Sequence, residues 1–415
     1  MSHLSVSDII DFVEENDVKF IRLAFCDLYG TQKNISIMPQ ELKHAFEEGV
    51  NFDSFLILGY DNADGQDLFL KPDPDTLHIL PWRPQSGRVV RMYCDIVLAD
   101  GTPFMYDYRN FLKETLATCE KMGFITKMGL KSEFYLFKTD EDGNPTSEPF
   151  DNGGYLDVAP NDKGENIRRE ICLTLEEMGI MPQSSHHERG PGQNEIDFIS
   201  ADVLTTADNL VTYKNVVENI ASRNGAHASF DPLPLEDAPG NGLHIKMATY
   251  KDGVNLFTTD KEFSEAFMAG ILNRMRDITI FLNCREDSYN RVGIFEAPKY
   301  ITWSAQNNSR LFRVPEINGK RGHFILRSPD SCINPYLASA MVIQAGLAGV
   351  ANKEQLPPAL EVNSRFLSDD RSAYLEMLPL SIEEAIDCAE NSEFIKNSSF
   401  ANIATRYIET IKSFI

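Results

Sequence analysis

The sequence has little positive charge, no paired cysteines and no long apolar segment, and each absence excludes a class of protein. Lysine and arginine number 39 against 62 aspartate and glutamate, so the net charge of −23 leaves no general electrostatic surface for nucleic acid or anionic membrane. The seven cysteines are odd in number and form no C-x-x-C pair, which argues against a complete disulfide framework. We therefore expect reduced core cysteines and no nucleic-acid or membrane partner.

The distribution of apolar residues is that of a folded globular chain. The longest mostly apolar stretch, 336–351, is shorter than the roughly 18 residues of a membrane span and is predicted to be a core helix. The N-terminus has no basic segment followed by an apolar one, so no secretory signal is expected and a cytoplasmic location is predicted. With 415 residues, 42% of them hydrophobic and 24% charged, two or three domains are expected.

The chain divides into two parts that differ in pattern, and together they predict an α+β protein. Residues 1–103 read as a small unit with a helix at 8–15, strands VKFIRLAF and KNISI around the turn DLYG, and a helix at 39–48. Residues 104–415 alternate amphipathic helices with strands that carry charged or metal-capable residues among apolar ones: KSEFYLF, HHE, QNEIDF, GLHIKMA and GHFILRS. Polar groups on core-like strands indicate a lined site.

The segment HHERGPGQNEIDF, residues 186–198, is the sharpest candidate for chemistry. Glu188 and Glu195 flank a Gly-Pro-Gly turn, so a hairpin would bring both carboxylates together, and Glu133 can supply a third. Three carboxylates without cysteine favour Mg²⁺ or Mn²⁺ over zinc. The alternative is that they are solvated acids of an edge strand in a very acidic protein.

Three further features have a functional and an ordinary interpretation. His244 follows two glycines that allow close backbone approach to a ligand, although a lone histidine is more often a core or surface residue. The stretch RVGIFEAP, 291–298, is either a mobile lid or a surface loop. A local basic cluster is either a phosphate or carboxylate clamp or a set of surface ion pairs. The cluster comprises Arg313, Lys320, Arg321 and Arg327.

Taken in order, these motifs resemble the glutamine synthetase family along nearly the whole chain. The resemblance lies in FDSF through LFLKPDPDT, DGTPFMYDYR, GLKSEF, HHE with GQNE, GNGLH, SYNRVGIFEAP and RSPDSCINPYLASA. It implies an N-terminal β-grasp domain, a larger catalytic domain, and a homo-oligomer of stacked rings, a decamer or dodecamer, with each active site between neighbouring subunits. It also implies an ATP-dependent ligation in which the γ-carboxylate of glutamate is phosphorylated and ammonia or an amine displaces the phosphate.

The resemblance assigns roles to residues by position. Glu133, Glu188 and Glu195 match the three carboxylates of a first metal site. On the substrate side, Arg291, Arg327 and Gly240 match the contacts to glutamate, Arg313 matches an arginine on the ATP phosphates, Glu296 matches the flap acid that helps deprotonate the ammonium adduct, and Asp53 matches an ammonium-binding aspartate offered by the adjacent subunit.

The departures from the family pattern concentrate at a second metal site. Of its three ligands His244 is present, Lys131 stands in place of one acid, and Ile325 stands in place of another. On the nucleotide side, an expected histidine is Lys246 and an expected arginine is Asn308. A further expected arginine is His323, with Arg321 close by.

These departures lead to a hypothesis about charge and to competing functions. Lys131 and Lys246 are hypothesised to replace the charge of the second metal, either on a phosphate, together with Arg313, Lys320 and Arg321, or paired with the remaining carboxylates. Ordinary glutamine synthetase activity is then expected to be altered. The alternatives are an impaired or regulatory member that binds glutamate-like ligands, and a metal-dependent enzyme of this fold that does not use ATP.

Overall fold

The computed structural model describes residues 4–60, 66–307, 310–361 and 373–415. The first part of the chain contains α1 (Val6–Glu15), β1 (Val18–Cys26), β2 (Gln32–Ile37), α2 (Leu42–Glu47), β3 (Val50–Phe52), β4 (Leu68–Pro72), β5 (His78–Ile79) and β6 (Arg88–Leu98). The predicted helix at 39–48 is a 3-10 turn, Pro39–Glu41, followed by α2. The other three predicted elements of this part are confirmed.

The N-terminal elements form one sheet covered by two helices, the β-grasp domain that the sequence predicts. The strand order is β2-β1-β6-β4-β3, with β5 also on β6, and β1 runs parallel to β6. Helix α1 starts where the Ser5 hydroxyl accepts from the Asp8 amide and the Asp8 carboxylate accepts from the Ser5 amide, a reciprocal cap. Its buried side chains, Ile9 and Val13, close a small apolar core against the sheet.

The second part is built on a larger sheet. Its elements are α3 (Tyr108–Lys121), β7 (Ile125–Thr139), β8 (Pro145–Pro149), α4 (Glu165–Glu177), β9 (Pro182–His187), β10 (Gln193–Phe198), β11 (Ala201–Asp202), α5 (Val203–Arg223), β12 (Ala226–Ser229), β13 (Leu243–Lys251), β14 (Val254–Asn255), α6 (Leu256–Thr259), α7 (Lys261–Asn273), α8 (Met275–Ile278), α9 (Glu286–Asn290), β15 (Trp303–Ser304), β16 (Phe312–Arg313), β17 (Glu316–Ile317), β18 (Lys320–Arg321), β19 (Phe324–Leu326), α10 (Pro335–Asn352), α11 (Ile382–Asn391), α12 (Glu393–Lys396) and α13 (Ala401–Lys412).

The long strand β7 organises this sheet. The main order is β15-β16-β19-β13-β7-β10-β9, and β8, β11 and β12 also pair with β7. The predicted strand KSEFYLF is therefore only the middle of a 15-residue strand, whereas GHFILRS reduces to the three residues of β19. Side chains alternate along β7, so that Lys131 and Glu133 share one face while Ser132 and Phe134 are buried on the other.

The predicted core helix at 336–351 is confirmed as α10. It begins at Pro335, where the Asn334 side-chain oxygen accepts from the amides of Tyr336 and Leu337. A Cβ atom on Gly349 would lie 2.2 Å from the carbonyl oxygen of Ala266 in α7, so the absence of a side chain allows these helices to approach closely. None of the helices in the described ranges has both the length and the apolar character of a membrane span.

The buried Arg109 guanidinium is one of the contacts that join the two parts of the chain. Arg109, on α3, donates to Asp73 and Asp95 of the N-terminal part and makes a bidentate pair with Asp208 on α5. Because a buried cation is stable only when it is paired, this network fixes how the β-grasp domain sits on the catalytic domain. All seven cysteines are free thiols, as the sequence predicts; four of them are buried, whereas the other three are partly exposed and not core residues.

Candidate active site

The hairpin predicted around Gly-Pro-Gly is present and brings the acids together. Strands β9 and β10 are antiparallel, and the Glu188 amide donates to the carbonyl oxygen of Gln193 at 2.8 Å to close the turn. On the other side of β10, Glu195 lies directly opposite Glu133 of β7. The three carboxylates therefore line one cavity of about 550 Å³, and the interpretation as scattered solvated acids is wrong.

Burial and mutual repulsion make these carboxylates weak acids. Burial, and then the neighbouring Glu133 carboxylate, raises the pKa of Glu195 to about 9. Burial and the Glu188 carboxylate likewise raise the pKa of Glu133 to about 7, although the Gly242 amide donates to Glu133 at 2.7 Å. Burial also raises the pKa of Glu188. Acids held together in this way are stabilised by positive charge.

Lys131 supplies part of that positive charge. Its Nζ atom lies 3.1 Å from Glu195 Oε1 and 2.7 Å from Asp197 Oδ2. Burial disfavours the ammonium, but the attraction of Glu195 and the hydrogen bond to Asp197 outweigh it and raise the pKa of Lys131. Of the two roles hypothesised from the sequence for Lys131, the geometry matches pairing with carboxylates.

His244 joins the same group of acids. It lies opposite Lys131 in the register of β13 and β7, and its ring nitrogen and one oxygen each of Glu133 and Glu195 are all within 4.8 Å of one another. Burial lowers its pKa well below the usual value, and the charges of Arg327, Lys131 and Arg291 lower it further. The ring is therefore neutral and can offer a nitrogen lone pair to a cation.

Arg291 enters the cavity from the end of α9 and is held by backbone carbonyl groups. Its Nη2 atom donates to the carbonyl oxygens of Ser328 and Pro329. Gly240 packs against its aliphatic stem, because a Cβ atom at Gly240 would lie 2.6 Å from Arg291 Cδ. The predicted pair Arg291 and Gly240 is thus in direct contact, with the guanidinium fixed at the cavity wall.

Arg313 and Arg327 extend the basic wall along β16 and the end of β19. Both residues line the cavity with the acids. Nε of Arg291, Nε of Arg313 and Nη1 of Arg327 are buried and find no hydrogen-bond partner within the described ranges. Buried N–H groups without partners are costly, so this wall is suited to a carboxylate or phosphate.

Glu296, the predicted flap acid, is held by Arg189, which is not among the residues predicted from the sequence. Arg189, exposed in the hairpin turn, donates to Glu296 at 2.7 Å, and its guanidinium stacks 4.9 Å from the Phe295 ring. Phe295 has a positive φ of 51°, which is strained for a residue with a side chain. The hairpin and the 291–298 loop therefore close the cavity together.

Five of the predicted site residues lie away from the cavity wall or outside the described residues. Asp53 is exposed on the β-grasp domain, where it accepts from the Phe55 amide. Lys320 and Arg321 are on the short β17–β18 hairpin, and Arg321 contacts Glu316 and the Trp303 ring. The other two are Lys246 and Asn308. The positive charge of Lys246 lowers the pKa of His323, so Lys246 lies near that residue, and it does not line the cavity. Asn308 lies outside the described residues.

Gln193 and Asp197 were missed, although the signal for both was present in the sequence. Each lies two residues from Glu195 on β10 and therefore on the same face of the strand. Gln193 donates to Glu133 and to the carbonyl oxygen of Gly240, which joins the acidic and basic sides of the cavity. No comparable signal exists for Arg189, because its partner Glu296 is 107 residues away.

The donor set fits one divalent metal centre and does not fit a complete second one. Glu133, Glu188, Glu195 and a neutral His244 are oxygen-rich with one nitrogen, which suits Mg²⁺ or Mn²⁺. The remaining two positions of the second set are Lys131 and Ile325, which have no lone pair to offer. Glu133, Glu195 and His244 form one group of close ligand atoms, and Glu188 joins His186 and Glu195 in a second group that shares the Glu195 carboxylate.

Comparison with known proteins agrees with a chain of two parts. The family model for the glutamine synthetase β-grasp domain matches residues 17–99, and that for the glutamine synthetase catalytic domain matches residues 105–413. Glutamine synthetase of Methanosarcina mazei is 43% identical over 97% of this chain and 92% of its own, and that of Clostridium saccharobutylicum is 40% identical over 98% and 94%.

Two solved structures are similar in the same way. A structure described as a GmaS/ADP complex superposes with a TM-score of 0.89 at 27% identity, covering 98% of this chain and 95% of that one. The cryo-electron microscopy structure of Plasmodium falciparum glutamine synthetase has a TM-score of 0.87 at 23% identity, covering 100% and 96%, and shows the shared fold.

The fold and the cavity define a two-domain enzyme of the ligase type. The chain belongs to the glutamine synthetase family of ATP-dependent ligases. The prediction that ordinary activity is altered finds no support in these comparisons, because relatives named glutamine synthetase match nearly the whole chain.

Proposed function

We propose that the protein joins glutamate, or a similar acid, to ammonia or an amine through an acyl phosphate formed with ATP. The observation that carries this proposal is a cavity of about 550 Å³ that is lined by both acidic and basic side chains. The acids include Glu133, Glu188 and Glu195, and the bases include Arg291, Arg313 and Arg327. Phosphoryl transfer to a carboxylate brings two anions together, so it needs fixed positive charge on one side and a cation holder on the other.

The arginine wall is suited to orient the two anionic substrates. Arg291 is fixed by its backbone carbonyl partners, so it can present its remaining N–H groups to the carboxylate of the acid without reorganising. Arg327 lies beside it, and Arg313 extends the wall toward Lys246 and His323. We assign Arg291, Arg327 and Gly240 to the acid substrate and Arg313 to the phosphates of ATP.

Additional cations are available for the nucleotide. Lys246 lies close enough to His323 to lower its pKa, after burial, to about 4, and Arg313 contributes in the same direction. Lys320 and Arg321 follow on the neighbouring hairpin. We assign Lys246, Lys320 and Arg321 to the phosphate side of the site. Lys131, paired with Glu195 and Asp197, contributes its charge from the cavity wall.

Glu133, Glu188 and Glu195, with His244, would hold Mg²⁺ or Mn²⁺, which neutralises phosphate charge during transfer. Glu296 is placed at the rim, where its carboxylate can accept a proton from the attacking amine once the flap covers the acyl phosphate. The ion pair with Arg189 holds the Glu296 carboxylate in this position.

The acceptor side of the site is proposed to be completed by a second subunit. Asp53 is followed by Phe55 and Leu56, which are 72% and 77% exposed. Tyr155, which lines the cavity, is 60% exposed, and Val158, three residues further along the chain, is 72% exposed. Exposed apolar groups of this size mark interfaces. We propose a homo-oligomer of stacked rings, a decamer or dodecamer in the cytoplasm, in which Asp53 serves the neighbouring site.

The experiment measures ADP and phosphate release from ATP with glutamate and Mg²⁺ or Mn²⁺, comparing ammonium, hydroxylamine, small alkylamines and no acceptor. Release that requires both glutamate and an amine is expected, and the best amine identifies the product. An Arg327→Lys variant should lose most of this activity because a single ammonium cannot replace a planar fork of donors.

Absence of turnover under every combination, from folded and assembled protein, would contradict the proposal. Binding of glutamate without turnover would then favour a regulatory member of the family. Metal-dependent chemistry that proceeds without ATP would favour an enzyme of this fold that does not use ATP. Melting shifts with ATP separate a ligase from an enzyme that does not use ATP, since a ligand that binds the folded state raises its stability.

A further inference from the structure

We propose that the Lys131 ammonium is a built-in cation of the active site, so that each protomer binds one divalent metal ion and not two. The inference rests on the proposed function, because it concerns the positive charge that faces the transferred phosphate. It assigns His244 to the same metal as Glu133 and Glu195.

The position of Lys131 is the first argument. Its Nζ lies within hydrogen-bond distance of Glu195 and Asp197, and the register of β7 and β13 places it opposite His244. Asp197 Oδ2 also accepts from the Ser184 hydroxyl at 2.7 Å. The ammonium therefore lies between His244 on β13 and its carboxylate partners on β10, and it already occupies the oxygen atoms that an additional metal ion would need.

The shortage of ligands is the second argument. His244 is on β13, between β7 and β19; Lys131 lies opposite it on β7, whereas Ile325 of β19 lies opposite Lys246, two residues from His244 and on the same face of β13. An ammonium has no lone pair and an isoleucine side chain has no donor atom. His244 alone cannot hold a hard divalent cation, which takes six or more ligands, whereas Glu133 and Glu195 are within 4.8 Å of its ring.

The charge balance is the third argument. A lysine in place of a carboxylate changes the local charge by two units, which is the charge of one divalent ion. Because Ile325 also stands in place of an acid, the site with Lys131 and one metal ion carries one positive charge more than a site with two acids and two metal ions. Arg291 and Arg327 add to the charge around His244 and disfavour a further divalent cation.

Two further groups of potential ligands occur in the described ranges. His186, Glu188 and Glu195 line the same cavity and share the Glu195 carboxylate with the group of His244, so these two groups overlap in one site.

The other group is already satisfied within the protein. This group is buried and consists of Asp151, Asp162 and His187. Their polar atoms are already hydrogen-bonded or ion-paired within the protein. Asp151 bonds to His187 and accepts from three backbone amides, and Asp162 is paired with Arg168. A cation there would have to displace these partners.

The experiment counts Mn²⁺ on the assembled protein by equilibrium dialysis followed by metal analysis. Wild type is expected to bind one ion per protomer in excess of Glu195→Gln, a variant that keeps the non-specific binding of this acidic chain. Lys131→Arg should also bind one, because it keeps the cation. Lys131→Glu combined with Ile325→Glu supplies two ligands beside His244 and should bind two.

Electron paramagnetic resonance gives a second readout. One isolated Mn²⁺ gives a resolved six-line spectrum, whereas two ions roughly 4 Å apart are magnetically coupled and broadened. Two ions per protomer in wild type, or a coupled spectrum, would overturn the inference. One ion in the double variant would equally contradict the role given to Lys131.

The count and the proposed function fail separately. Metal binding is measured without turnover, and ADP release is measured on the same preparations. One ion per protomer without any ligase activity would leave Lys131 as the resident cation and reject the proposed reaction. Two ions per protomer with full ligase activity would support the proposed reaction and reject the single-metal inference. If the double variant does not fold, the wild-type count still decides.

Discussion

Replacing Gly240 with alanine is expected to damage binding of the acid substrate, whereas the same change at Gly242 is expected to be tolerated. A Cβ atom on Gly240 would lie 2.3 Å from the carbonyl oxygen of Pro232 and 2.6 Å from Cδ of Arg291. A Cβ atom on Gly242 would come no closer than 3.5 Å to any neighbour, which is ordinary contact. The two glycines differ only in the space around them and form a matched pair.

The overlap at Gly240 cannot be relieved by moving the loop that carries it. The amide of Asn241 donates to the carbonyl oxygen of Pro232 at 2.9 Å, and Gln193 donates to that of Gly240 at 3.2 Å. Because the backbone is held on both sides, the stem of Arg291 has to shift. Its guanidinium is then displaced from the position fixed by its carbonyl partners.

The magnitude follows from two costs. Overpacking a tight site costs about 1–3 kcal/mol of stability. Losing a hydrogen bond between Arg291 and a carboxylate costs about 1.5–3 kcal/mol of binding. At about 1.4 kcal/mol for each factor of ten, KM for glutamate should rise roughly 10- to 100-fold in Gly240→Ala.

The assay is steady-state ADP release with varied glutamate, accompanied by melting curves of both variants and wild type. Gly242→Ala should keep its KM for glutamate within about threefold, an allowance of less than 1 kcal/mol. An unchanged KM and melting temperature in Gly240→Ala would refute the geometry described for Arg291. An equal loss in both variants would show that any added methyl group in the cavity is harmful.

Three further outcomes are expected. Arg189→Ala should lower kcat through freer motion of Glu296 while changing stability by less than about 1 kcal/mol, because the ion pair is exposed; an unchanged kcat would count against a positioning role. Leu56→Asp should reduce both the assembled fraction in gel filtration and ligase activity; full assembly would reject the proposed interface. Hydrogen bonding to Arg274 lowers the pKa of Glu354 from 4.5 to about 2, so its carboxylate stabilises the fold above pH 4.5 and that contribution is lost as pH falls from 4.5 to 2. Glu354→Gln should therefore melt lower than wild type at pH 7, with the difference vanishing near pH 2; a difference independent of pH would contradict this.

The acidic half of the site was predictable from the sequence because its geometry is local. Glu188 and Glu195 flank a turn, and strand alternation places Lys131 and Glu133 on one face of β7. The register between β7 and β10, which sets Glu133 opposite Glu195, depends on tertiary structure and was supplied only by the resemblance. The same alternation, applied to Glu195, would also have found Asp197.

The remaining features could not be predicted because they depend on distant contacts. The Arg189–Glu296 pair joins two loops whose relative position is decided by the whole sheet. Lys246 shares a strand with His244, yet two residues along β13 are about 6–7 Å, enough to leave the cavity wall. The strand predicted at GHFILRS is longer than β19, which covers only Phe324–Leu326.

In strand β7, the residues that stabilise the fold alternate with the residues that line the cavity. Ser132 and Phe134 are buried and hold the sheet to its helices, while Lys131 and Glu133 between them face the cavity. A substitution on the cavity face therefore changes which ions the enzyme uses without disturbing the packing that keeps it folded. Single substitutions on this face can exchange an ammonium for a carboxylate while the strand stays in place. The same fold can therefore acquire a different ionic requirement one residue at a time.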